Sequence, residues 1–246
     1  MCFNQTTSLI TFSISVICFA YLVYNGVKKN NKYDIFAGIM TILIGSMQLI
    51  EFFLWGNQTC STPLSIYNGK GQPSQINHFF SLLIMVLLYL QTVITSIVYF
   101  YLFETVSIGW ILGGIIGIYT VFTGYLLTWL NKKQLCSKPM EGSCRLVWAP
   151  FYALRTRSYG IPLSTIFFFF YFLLGCYAFG GDTIFLTGKI FQGAIKYPIR
   201  YTLLPFTFLI AHLYAFFYKG LQSTDIFGST WCFMAVAFGV VSCLHI

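Results

Sequence analysis

Seven uninterrupted apolar runs of about twenty residues constrain this chain more than any other feature. They cover about residues 8–27, 35–55, 78–103, 108–130, 161–180, 201–218 and 226–244. A helix rising about 1.5 Å per residue needs roughly 20 residues to cross a hydrocarbon core about 30 Å thick. The runs are continuous rather than alternating, and they exceed the roughly ten-residue length of tilted barrel strands. The expected fold is an all-α integral membrane protein, a bundle of about seven transmembrane helices forming one transmembrane domain over residues 1–246. The seventh run is rich in small residues and is the weakest of the set.

Composition excludes the main competing class. Only 8% of the 246 residues are charged and 57% are hydrophobic, whereas a soluble domain is about 25% charged. Fourteen basic residues against six acidic ones give a net charge of +8, and the basic ones gather in the connections and suit anchoring against head groups. No basic helix or aromatic-basic module stands clear of the apolar runs, so nucleic acid is not an expected partner. The first run follows Met1-Cys2-Phe3-Asn4-Gln5-Thr6-Thr7 with no basic stretch ahead of it, and reads as a first span rather than a removed signal peptide.

Two topological signals pull against each other. Seven spans place Cys2, Cys60, Cys136 and Cys144 on one face, with the Asn4-Gln5-Thr6 and Asn57-Gln58-Thr59 sequons. Loop cysteines and glycosylation acceptors suit an oxidising, exoplasmic face. Yet that face carries eight basic residues (Lys70, Lys132, Lys133, Lys138, Arg145, Arg155, Arg157 and Lys219) against six on the other (Lys28, Lys29, Lys32, Lys189, Lys196 and Arg200). Lys28, Lys29 and Lys32 flank the first span, which often dominates orientation. The preferred reading puts the N-terminus on the exoplasmic or lumenal side and the C-terminus in the cytoplasm. The four loop cysteines allow three disulfide pairings, with a four-thiolate zinc site as the rival.

Glu51 is the residue most in need of a chemical account. It is the acidic residue well inside an apolar run, and ionised carboxylates are costly at that depth. Gln48, Glu51 and Trp55 share one helix face. Gln91 sits near the middle of the third run, His78 opens it, and His212 lies in the sixth. These residues suggest a polar intramembrane site for a proton, a cation or a small solute. The alternative is a hydrogen-bonded Glu51 that locks helices together. Glu51, His78 and His212 also make a three-ligand set that a catalytic zinc uses, although no shared motif spacing supports it. In the fourth run Gly113-Gly114-Ile115-Ile116-Gly117 contains a small-xxx-small pattern that permits close helix contact. The segment 146–154 is too apolar to lie free in water and is expected at the interface or over the end of the bundle.

The opening Met1-Cys2-Phe3 with Ser8, the run Met47-Gln48-Leu49-Ile50-Glu51-Phe52-Phe53-Leu54-Trp55, Gln58 and Cys60, Asn77 and Ser81 ahead of Leu90-Gln91, and Leu146-Val147-Trp148 after Cys144 form a recurring set. In these the chain resembles a family of uncharacterised multi-pass membrane proteins from large DNA viruses of protists, with distant bacterial relatives. The resemblance covers roughly the first 150 residues. It departs at Thr92, where similar proteins tend to carry Pro after Leu-Gln, and with it goes any kink expected there. It implies an architecture and no activity or cofactor.

Three functions follow as expectations: an ion or small-solute module lined by Glu51, Gln48, Gln91 and His212; a structural subunit of a larger membrane assembly; and an intramembrane zinc-dependent lipid hydrolase. A non-enzymatic role ranks first. The expected partners are membrane lipid and either a second copy of the chain or a larger membrane complex.

Overall fold

A computed structural model describes residues 4–58, 75–103, 109–139, 146–155, 158–159, 161–182 and 224–244, together with the single positions 207, 210 and 213. The long helices are α1 (Gln5–Lys28), α2 (Lys32–Gly56), α3 (Gln75–Phe103) and α4 (Gly109–Asn131). Each is long and apolar enough to cross a membrane. After α4 come the two-residue strands β1 (Lys138–Pro139) and β2 (Leu146–Val147), paired antiparallel, and the short helix α5 (Ala149–Arg155). A second small hairpin, β3 (Ser158–Tyr159) with β4 (Ile161–Pro162), leads into α6 (Leu163–Asp182). The last described helix is α7 (Thr224–Cys243). The helices run within three residues of the ends expected from the apolar runs. The sixth run lies mostly outside the described residues, but Thr207, Ile210 and Leu213 within it are helical.

Local sequence sets the helix ends. Asn4 caps α1 by accepting the Thr7 amide at 2.8 Å. Asn31 caps α2 by accepting the Tyr33 amide, and its side-chain amide donates to Asp34 at 2.8 Å. Between α1 and α2 the chain reverses through Asn30, whose φ of 49° lies in the left-handed region. Asparagine tolerates that conformation better than other non-glycine residues. Asn57 closes α2 by donating from its side-chain amide to the Phe53 carbonyl. Both sequon asparagines therefore also serve as helix-end residues.

Side-chain contacts give each helix its direction. Leu43 lies level with Gln91, Phe53 with Phe80 and Asn57 with Asn77, so α2 and α3 run antiparallel in constant register. Tyr89 meets Tyr119 and Thr120, while Phe100 borders Gly109, so α4 runs back along α3. Gln91 meets Tyr171 and Ser96 meets Leu174, making α6 parallel to α3. Cys232 lies within electrostatic range of Glu51 and Gly239 borders Thr41, so α7 runs antiparallel to α2 and hence parallel to α1. Helices α1, α3, α6 and α7 thus point one way and α2 and α4 the other.

Small residues bring α1, α2 and α7 together. A stripe of Ser8, Thr11, Ser15, Cys18, Leu22 and Gly26 on α1 is buried. A Cβ at Gly45 would collide with Ser15, one at Gly26 would come within 2.6 Å of Ile35, and one at Gly239 would collide with Thr41. The α4 glycines make no close contact within the described chain: nothing lies within 4 Å of a Cβ built at Gly113, Gly114 or Gly117. That face of α4 points outward with Trp110, 94% exposed, and Val121, 75% exposed. Apolar exposure on this scale is what a lipid-facing helix presents. Aromatic and basic residues sit together near the helix ends, Lys28 over Tyr24 and Lys133 over Trp129, as anchors at a membrane boundary do.

Candidate functional site

Glu51 is completely buried on α2, and so is Gln48 one turn earlier. The Gln48 Nε2 donates to Glu51 Oε2 at 3.3 Å, and the Trp148 Nε1 donates to Glu51 Oε1 at 3.2 Å. Both bonds leave the carboxyl oriented between neutral donors. The Gln48 carbonyl oxygen, on the same amide, has no hydrogen-bond partner among the described residues. Cys232 on α7 is buried within electrostatic range of Glu51, in the same apolar cluster as Met47, Leu54, Ile84 and Trp148. Trp55, on the same face of α2 as Gln48 and Glu51, has its indole nitrogen buried without a partner.

Trp148 comes from the connection after α4, which does more than lie at an interface. Leu146, Trp148, Ala149, Phe151, Ala153 and Leu154 are all buried in the main core. A clasp around Ser137 holds this segment down. The Ser137 amide donates to Asn77 Oδ1 at 2.9 Å, and its carbonyl accepts from Asn77 Nδ2 at 3.0 Å. Its hydroxyl lies 2.7 Å from that of Ser81 and accepts the Ala149 amide at 3.0 Å. Gln58 Nε2 adds a longer contact to the Ser137 carbonyl at 3.4 Å. Next to it, His78 Nδ1 accepts the Leu135 amide at 3.2 Å.

The residues expected to share one pocket occupy different levels of the bundle. By the α2–α3 register, Glu51 is level with residue 83. His78 is then about 8 Å nearer the clasp, and Gln91 about 12 Å further into the bundle, at about 1.5 Å per residue. Gln91 is a bridge in its own right: its Nε2 donates to the Leu43 carbonyl at 2.9 Å and its Oε1 accepts the Tyr171 hydroxyl at 3.2 Å. His212 lies outside the described residues. Among the described residues no group of three or more His, Cys, Asp or Glu is placed to hold a metal. His78 and Glu51 stand at separate levels, and His78 uses Nδ1 on the backbone.

The loop cysteines are only partly described. Cys2, Cys60 and Cys144 lie outside the described residues, and no disulfide joins two described cysteines. Cys18, Cys232 and Cys243 take no part in a disulfide among the described residues.

Sequence reasoning gave four participants no role in the site. Cys232 and Tyr171 read as ordinary apolar-run residues, and nothing local marks them. Asn77 and Ser81 carried a usable signal, two polar residues at i and i+4 on one face of a span. The resemblance residues Gln48, Glu51, Gln58, Asn77, Ser81 and Trp148, drawn from three separate stretches, meet at the clasp and the Glu51 site beneath it. No family model, curated protein or solved structure matches the chain.

Proposed function

We propose that the chain is a seven-span membrane protein in which Glu51 and Gln48 bind a proton or a small monovalent cation. The observation that carries this reading is the Gln48 carbonyl oxygen, buried without a donor on the amide that contacts Glu51. Leaving such an acceptor unmade costs about 1–3 kcal/mol, and an ion or a protonated species offsets that cost. The carboxyl and this carbonyl together offer oxygens of the hard type that protons and alkali cations take.

The helix directions support seven crossings. Helices α6 and α7 point the same way, which one further crossing in the chain between them would reconcile. Residues 183–223 suffice for one crossing of roughly 20 residues and are too few for three. The sequons at Asn4 and Asn57 support an exoplasmic clasp face. The α1–α2 turn with Lys28, Lys29 and Lys32 is then cytoplasmic, which agrees with the charge beside the first span. Kinship with the viral membrane family belongs to this proposal, supported by the meeting of its motif residues around Glu51 and Ser137.

Reconstitution into liposomes tests the function. Proton, sodium and potassium uptake should be measurable in the wild type and lost in Glu51→Gln. Absence of all three fluxes, or identical flux in Glu51→Gln, overturns the reading.

A second reading, a subunit of a larger membrane assembly, rests on the outward face of α4, where Gly113, Gly114 and Gly117 meet nothing. The mass of the particle purified in mild detergent decides it, and a monodisperse monomer rejects it.

A further inference from the structure

Resting on the reading that Glu51 binds a proton or a cation, we infer that the site takes the proton and excludes alkali cations, and that the Gln48 amide turns to serve either state of the carboxyl.

Gln48 Nε2 reaches Glu51 Oε2 at 3.3 Å and Trp148 Nε1 reaches Oε1 at 3.2 Å. Bonds to an ionised group shorten toward about 2.7–2.9 Å. Both bonds here are longer, and both donors are neutral. Glu51 is completely buried, and a buried carboxylate needs a charged partner. The described groups around it bring no cation. From α7 comes the Cys232 thiol, and from α3 the apolar side chains of Ile84 and Met85. From α1, Ser8 lies within a turn of its level, by the contacts of Gly45 with Ser15 and of Gly56 with Gln5. His78 stands about 8 Å nearer the clasp, with Nδ1 on the Leu135 amide. A neutral carboxylic acid fits this setting and a carboxylate does not.

A proton turns one carboxyl oxygen from an acceptor into a donor. The Gln48 amide can meet both forms, because its carbonyl and NH2 ends are nearly the same shape and exchange places by a half-turn. With Nε2 toward Glu51 it donates to a carboxylate. With Oε1 toward Glu51 it accepts the O–H of the acid, while Trp148 still donates to the other oxygen. The outward end of the amide has no partner among the described residues, so the state of Glu51 selects the orientation.

An alkali cation asks for more. Membrane sites for it gather several oxygens, often backbone carbonyls freed where a helix is unwound. Helix α2 is continuous from Lys32 to Gly56, so the carbonyls around Glu51 stay in the helix ladder. N–H groups already lie on both carboxyl oxygens, and their positive ends oppose a bare cation there. A proton needs one lone pair. It arrives on hydronium and leaves a neutral acid and a water molecule, so uptake needs no co-reactant.

Infrared spectroscopy of the full chain in lipid bilayers tests this through the C=O stretch of a protonated carboxyl. The chain has only six acidic residues, and glutamate stands at 51, 104 and 141 alone. Carbon-13 labelling of glutamate therefore helps to assign the band in wild-type protein. At neutral pH in choline chloride the wild type should show a carboxylic-acid band that Glu51→Gln lacks. Replacing choline with sodium or potassium at the same pH should leave the band unchanged. Gln48→Met should shift it, by removing the acceptor of the O–H. Of the three liposome fluxes, only that of protons should then depend on Glu51. Loss of the band on adding sodium or potassium overturns the inference while leaving ion binding at Glu51 intact. A wild type without the band, or a Gln48→Met band at the wild-type position, also overturns it. The underlying reading fails separately, by absent or Glu51-independent flux in liposomes, whatever the band does.

Discussion

The indole N–H of Trp148 reaches Glu51 Oε1 at 3.2 Å, joining residues 97 positions apart. One belongs to a connection and the other to the last two turns of α2. The bond turns what would be a surface loop into part of the core, and it fixes one oxygen of the Glu51 carboxyl. Trp148→Phe keeps the ring and removes the donor. Leaving that oxygen without its bond is expected to cost about 1–3 kcal/mol. Thermal unfolding in mild detergent should show a drop of several degrees, and an unchanged midpoint would show that the bond contributes nothing.

The Ser137 clasp should behave as a unit with unequal members. Asn77 satisfies both backbone groups of Ser137, whereas Ser81 adds a hydroxyl contact. Asn77→Leu removes the shorter bond of both groups, leaving the amide its 3.2 Å bond to the Ser81 hydroxyl and the carbonyl its 3.4 Å contact with Gln58 Nε2, and should destabilise by about 1–3 kcal/mol. Ser81→Ala should cost about 1 kcal/mol or less. Limited trypsin digestion at Lys132 and Lys133 reads the release of the connection. Faster cleavage in Asn77→Leu than in Ser81→Ala is the expected order, and the reverse order would remove Asn77 from the centre of the clasp.

How much of this was legible follows from the physics of each signal. Apolar run length marks a span directly, because it has to match a bilayer, and the ends of α1, α2, α3 and α4 fall close to the run ends. Burial of a loop carries no such signature. The run Leu146-Val147-Trp148 was visibly too apolar for water, yet apolarity alone does not tell an interface from a core. The polar site was half legible: Gln48 and Glu51 are one turn apart and had to meet, but the partners of Gln91 lie on other helices and no spacing predicts them. The α4 glycines show the limit of a related signal. A small-residue pattern says that something can approach, and Gly45 opposite Ser15 shows that the approach was made elsewhere.

Asn30 offers a local test of the α1–α2 turn. Its φ of 49° is strained for residues with a branched Cβ. Asn30→Val should destabilise by about 1–2 kcal/mol, while Asn30→Gly should be neutral or slightly stabilising in the folded state. Both substitutions leave the neighbouring lysines and the Asn31 cap untouched, so orientation signals stay constant. Equal unfolding midpoints for the two variants would mean that the turn does not hold Asn30 in the left-handed region.

Gly45 and Gly117 separate a packing glycine from a lipid-facing one. A Cβ on Gly45 runs into Ser15 across the α1–α2 contact, whereas one on Gly117 meets nothing within 4 Å. Gly45→Leu forces two helices apart and should cost several kcal/mol, because overpacking alone typically costs about 1–3 kcal/mol and backbone displacement adds to it. Gly117→Leu should leave the folded monomer unaffected or slightly stabler, since leucine is the better helix former by up to about 1 kcal/mol. Expression level and detergent melting of the two variants should therefore diverge sharply. If Gly117→Leu melts normally yet shifts the purified particle from a larger assembly to a monomer, the outward face of α4 is where copies or partners meet. If Gly117→Leu is as harmful to melting as Gly45→Leu, that face is packed inside the fold and the arrangement of α4 is wrong.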